Sequence, residues 1–131
     1  MAVRKHLAIF DRASIEKILT GTRTVEGRFS KINLAPFGQV VAGDKILMKV
    51  AGGPILGEFE VEKVVYFDHL SPEDLEDLKK KYSKNLGLSN QFWQGRDGIN
   101  YATLIFVKSP ARFLVPQTFP KRDLRAWVVL A

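Results

Sequence analysis

The chain has 131 residues, of which 46% are hydrophobic and 26% charged, with a formal net charge of +6. These values fit one globular domain able to bury about two-thirds of its unfolded surface. Cysteine is absent, which excludes disulfides, thiolate nucleophiles and cysteine-ligated zinc. No apolar run approaches the ~20 residues of a membrane helix. Asp11 and Arg12 interrupt what would otherwise be a signal-peptide core, so a cytoplasmic location is expected.

Leu7 to Phe10 reads as a short buried strand. Asp11 is placed to cap a helix from Arg12 to Thr20, with Ile15, Ile18 and Leu19 as its apolar stripe. Phe10 before the cap and Ile15 in the helix form a hydrophobic staple, and Gly21 supplies the left-handed stop. A strand from Thr24 to Ser30 follows. Its two-residue period puts Glu26 and Arg28 on one face and Val25, Gly27 and Phe29 on the other. A carboxylate beside a guanidinium suggests a polar recognition site; a solvated face with a weak surface ion pair is the alternative.

Residues 31–42, with Pro36 and Gly38, read as loop. Lys45 to Val50 is a strand turned by Ala51 to Pro54. From Glu58 to Phe67, Phe59, Val61, Val65 and Phe67 are expected on one face, opposite Glu58, Glu60 and Glu62. Lys63 breaks that pattern and marks a bulge, a barrel end or a side chain directed into a cleft. Ser71-Pro72-Glu73-Asp74 starts a helix, with Leu70 and Leu75 as its staple. Leu75, Leu78 and Tyr82 form the buried side, while Lys79, Lys80, Lys81 and Lys84 suit the negative end of the helix dipole. A short helix is expected near 90–94 and a turn over 95–98. Tyr101 to Val107 reads as a central strand that Ala111 to Val115 extends or bends, and Leu124 to Leu130 as the closing strand.

The charge is unevenly spread. Seven basic and three acidic residues lie in Met1 to Lys31, and five basic and one acidic in Lys108 to Arg125. Eight acidic residues and a single lysine fall between Glu58 and Asp77. If the two basic ends meet in space, they make a positive surface suited to RNA or DNA. His6 and His69 are not at metal-ligand spacing, no Gly-x-Ser-x-Gly elbow is present, and Gly52-Gly53 lacks the Lys-Ser/Thr of a phosphate loop. No metal and no cofactor are expected.

The run Ile18-Leu19-Thr20-Gly21, then Arg23-Thr24, then Val25-Glu26-Gly27-Arg28 resembles the signature of the ASCH domain family, in the PUA-like superfamily. Gly43-Asp44 opening a strand, Gly57 to Glu62, Tyr101 to Phe106 and Arg125 to Leu130 extend the resemblance along nearly the whole chain. It implies a single domain, 1–131, of α+β class and mainly β: a PUA-like small mixed β-barrel of about five to six strands with two to three flanking helices.

The resemblance also implies a cleft that recognises RNA, single-stranded nucleic acid or a nucleoside-like small molecule. Arg23, Thr24, Glu26, Arg28, Trp93, Arg96, Tyr101 and Lys108 are the candidate ligand-binding residues. Glu26 would accept hydrogen bonds from a base, and Arg28 would bind phosphate or fix Glu26. Trp93, Tyr101 or Phe92 would offer a stacking face, with Lys108, Arg112, Lys121 and Arg122 on the backbone. One enzymatic branch of the family deacetylates a modified cytidine with a Lys, a Thr and a later Glu. Here Arg23 and Glu26 stand at the Lys and Thr positions. Arginine stays protonated and cannot act as a base, and the hydroxyl is lost. Binding is therefore the first expectation. A hydrolase of a modified nucleoside or of RNA is the second, and a protein-interaction adaptor the third.

Overall fold

The computed structural model describes residues 3–88, 90–93, 98–120 and 125–130. In chain order the elements are β1 (Lys5–Phe10), α1 (Arg12–Leu19), β2 (Val25–Ser30), β3 (Lys45–Val50), β4 (Ile55–Asp68), α2 (Pro72–Leu86), α3 (Asn90–Trp93), β5 (Tyr101–Gln117) and β6 (Trp127–Val129). The strands form one sheet in the order β2-β5-β4-β3-β1-β6, curled into a half-barrel. β1 and β3 run parallel, and the remaining neighbours are antiparallel. The fold is mainly β, as expected. β6 pairs with β1, Ala8 opposite Trp127, so the first and last strands of the chain lie side by side.

The helices form where local chemistry directs them. Asp11 accepts a 2.7 Å hydrogen bond from the Ser14 N–H at the start of α1, which satisfies one orphan donor of the first turn. Ser71 and Asp74 make a reciprocal capping box at the start of α2, and Gly87, at φ +66°, ends it in the left-handed conformation.

Two apolar cores lie on opposite faces of the sheet. Inside the curl, Ala8, Phe10, Ile46, Met48, Phe59 and Ile105 pack against Ile15 and Ile18 of α1. On the outer face, Val25, Ala102 and Leu104 pack against Leu78 and Leu86 of α2, with Trp93 and Leu70. Each fully buried aliphatic side chain contributes roughly 1.5–3 kcal/mol.

β4 departs from the expected single apolar face. The register with β5 shifts between Val61 and Lys63, and such an extra residue reverses the alternation beyond it. Phe59 and Val61 therefore belong to the inner core, whereas Val65 and Phe67 pack on the outer one. Lys63, at the shift, places its ammonium 4.3 Å from the centre of the Phe106 ring.

Candidate functional site

A cavity of about 380 Å³ opens where the end of β1, the start of α1, β2 and the end of α2 converge. Phe10, Asp11 and Ser14 form one side; Arg23, Glu26, Arg28 and Phe29 form the floor; Leu86, Leu88 and Phe92 form the other side. Its size lies within the range of small-molecule sites.

Glu26 is the centre of its polar network. The residue is 6% exposed. Its Oε1 accepts from the Gly27 N–H at 3.1 Å and lies 3.7 Å from Arg23 Nη1. Its Oε2 accepts from Arg28 Nη2 at 3.3 Å. Arg28 Nη2 also donates to the Ile9 carbonyl at 2.9 Å, and its guanidinium lies 4.7 Å from the Phe10 ring and 5.2 Å from the Trp127 ring. Arg23 is equally enclosed, and its Nε is buried without a hydrogen-bond partner among the described residues. The cap hydrogen bond from Ser14 holds the Asp11 carboxyl below its ordinary pKa, against the opposing effect of desolvation and with help from the charges of Arg23 and Lys17.

The lining thus holds two guanidinium groups and two carboxylates. It is electrically balanced rather than basic. Such a site favours a neutral, hydrogen-bonding ligand over a multiply charged anion, because burying an ion needs a net countercharge.

Of the residues singled out from sequence, the cavity brings together Arg23, Glu26 and Arg28, with Phe92 on its wall. Thr24 instead ties β2 to α2, its N–H donating to the Asn85 carbonyl and its hydroxyl accepting from Asn85 Nδ2. Trp93 is buried outside the cavity lining, edge-on to Phe29 at 5.2 Å, its Nε1 without a hydrogen-bond partner among the described residues. Tyr101 packs on Phe37 and His69. Lys108 pairs with Glu60 at 3.3 Å on the β4–β5 ribbon, and Arg112 pairs with Glu16 of α1. Arg96, Lys121 and Arg122 lie outside the described residues. Sequence reasoning missed Asp11, Ser14 and Phe29 as cavity residues. Asp11 was legible as a helix cap, but its place beside β2 is set only by the tertiary fold.

Behind the cavity lies a second polar network. Trp127 Nε1 donates to His6 Nδ1 at 3.0 Å, so His6 Nε2 carries the proton it shares with Asp44 Oδ2 at 2.8 Å. Asp44 also accepts from the backbone N–H groups of Arg4 and Val41. Burial lowers the His6 pKa, outweighing the opposing pull of Asp44. Burial alone would raise the Asp44 pKa, but its hydrogen bonds from Arg4, His6 and Val41 bring it below the ordinary value.

No group of three metal-ligating side chains occurs among the described residues, and none of their helices is long and apolar enough to cross a membrane.

A curled six-stranded sheet flanked by helices, with a polar cleft at its mouth, is a small PUA-like α+β fold. It is similar in fold to solved ASCH proteins. ASCH from Zymomonas mobilis superposes with a TM-score of 0.75 at 15% identity, covering 98% of this chain and 88% of that one. A single-substitution mutant of the same protein gives 0.75 at 17% identity, covering 98% and 89%. The N-terminal domain of Staphylothermus marinus McrB aligns at 0.51 and 12% identity, covering 89% and 77%. No family model and no curated protein matches the sequence.

Proposed function

We propose that the cleft binds a nucleobase, presented by single-stranded RNA or by a nucleoside. The observation that carries this reading is the enclosed Glu26 carboxylate, fixed by the Gly27 N–H and two guanidinium groups in a cavity whose lining includes Phe29 and Phe92. A pinned carboxylate accepts the paired amino and ring N–H donors of a base, and aromatic walls complement its flat faces. The balanced charge fits an uncharged heterocycle. The net charge of +6 on the chain would draw in a polyanion. Among the described residues, no cysteine, histidine or lysine lines the cavity.

Titration of the four ribonucleosides and a single-stranded RNA by calorimetry at two salt concentrations tests it. Saturable heat with at least one nucleoside, and RNA binding that weakens with salt, is expected. Silence of both would overturn the reading. Turnover of either would convert the binding site into that of a hydrolase.

A further inference from the structure

We infer that the cleft is the first of three hollows strung along the open seam of the half-barrel, and that the seam takes two or three consecutive nucleotides of a single-stranded nucleic acid rather than one nucleoside. This rests on the base-binding reading above and extends it. A second cavity of about 180 Å³ shares Arg28 and Phe29 with the cleft and is otherwise lined by Ser30, Thr103, the 34–37 loop and Ala126-Trp127. A third, of about 320 Å³, shares Leu34, Ala35, Ala126 and Trp127 with the second and adds Arg125. Three cavities linked in series by common walls form a track. A lone nucleoside would need only the first.

The chemistry along the track alternates. Arg28 stands between the cleft and the apolar second hollow, and Arg125 lies in the lining of the third. A single strand of nucleic acid alternates in the same way, with a flat apolar base and then one negative charge. Arg28 can take a phosphate at this point because both of its described hydrogen bonds leave from one nitrogen, Nη2, in a group with five donors. An extended peptide is the other chain that enters an open seam, and it does so by laddering onto a free strand edge. At one edge β6 is three residues long, too short a template, and at the other edge, β2, the Arg28–Ile9 bond spans to β1 across the way in. The loop wall is itself held firm. Tyr66 Oη donates to the Val40 carbonyl at 2.6 Å and accepts from the Val40 N–H at 2.7 Å, and Phe37 packs edge-on to Tyr66.

The test compares ribonucleosides, dinucleoside monophosphates and trinucleotides of the same bases, in ribose and deoxyribose series, following tryptophan fluorescence, since Trp127 walls the second and third hollows. Each nucleotide added up to the second is expected to tighten binding about tenfold or more, the scale of one stacked base, in at least one series. Ala126→Phe, at an exposed position whose side chain would fill the second hollow, is expected to abolish that gain and leave nucleoside affinity unchanged. Leu34→Glu, on the exposed loop, is expected to cut dinucleotide affinity about tenfold by opposing the phosphate. Nucleoside binding with no gain from a second nucleotide would overturn the track while leaving the base site standing. Competition by hexaglutamate as effective as by the trinucleotide would also overturn it, by assigning the seam to acidic peptides. Failure of every nucleoside and oligonucleotide would remove both readings.

Discussion

Arg28 on β2 donates a 2.9 Å hydrogen bond to the carbonyl of Ile9 on β1, so a side chain bridges two strands that the sheet order places four positions apart. β2 is one edge of the half-barrel, and β1 lies next to the other. The guanidinium thereby fastens the open side and pins Glu26 with the same nitrogen.

Removing that fastener should loosen the fold as well as the site. Arg28→Ala takes from Glu26 Oε2 and from the Ile9 carbonyl the donor they share, and is expected to cost about 2–4 kcal/mol, read as a lower urea midpoint with an unchanged slope. Arg28→Lys should recover only part of it, because a compact ammonium does not stack on the Phe10 and Trp127 rings as the planar guanidinium does.

Glu26→Gln keeps the shape and removes the charge. Nucleoside affinity should fall about 10- to 100-fold, the scale of a charge-assisted hydrogen bond, while the far-ultraviolet circular dichroism spectrum stays that of the wild type. Calorimetric titration reads the difference. Unchanged affinity would remove Glu26 from recognition.

The buried His6–Asp44 pair makes stability depend on pH in one direction. Both groups have folded pKa values below their ordinary ones, so the unfolded chain binds more protons as pH falls. The contribution of His6 is fully present above about pH 6.5 and is lost as pH drops below that toward its depressed folded value. That of Asp44 is lost lower still, below about 3.9. Melting temperature should therefore fall on acidification from pH 7 to 4. In His6→Gln the part of the slope just below pH 6.5 should vanish, even though the variant starts less stable.

Tyr66→Phe deletes one hydroxyl that serves both backbone polar groups of Val40. Leaving them unsatisfied is expected to cost about 1–3 kcal/mol. Amide exchange should accelerate at Val40 and across the 34–40 loop before it does so in β3.

Much of the framework was legible because it is local. Asp11 and Ser71 announce their helices, and the alternation in β2 brings Glu26 and Arg28 together in the cleft while Val25 enters the outer core. What stayed hidden depends on long-range register. The shift between Val61 and Lys63 sends Val65 and Phe67 to the outer core, and no residue type there specifies on which side of a bulge the alternation resumes. Trp93 and Tyr101 carry the composition of a stacking platform, yet their apolar neighbours draw them into packing. Asp11 joins the cleft because the β1–α1 junction meets β2 in space, which no spacing along the chain encodes. The His6–Asp44–Trp127 network likewise joins residues far apart in sequence, although Asp44 was visible as the opening of a strand.

The central claim is that the cavity around Glu26 is where a base docks. Nitrogen-15 correlation spectra recorded during titration with each ribonucleoside test it most directly. The Gly27 amide, which donates to Glu26, and the Arg23 and Arg28 side-chain signals are expected to move together and saturate at one dissociation constant. Saturable shifts confined to residues remote from this cavity, or no shifts with any nucleoside, would contradict it.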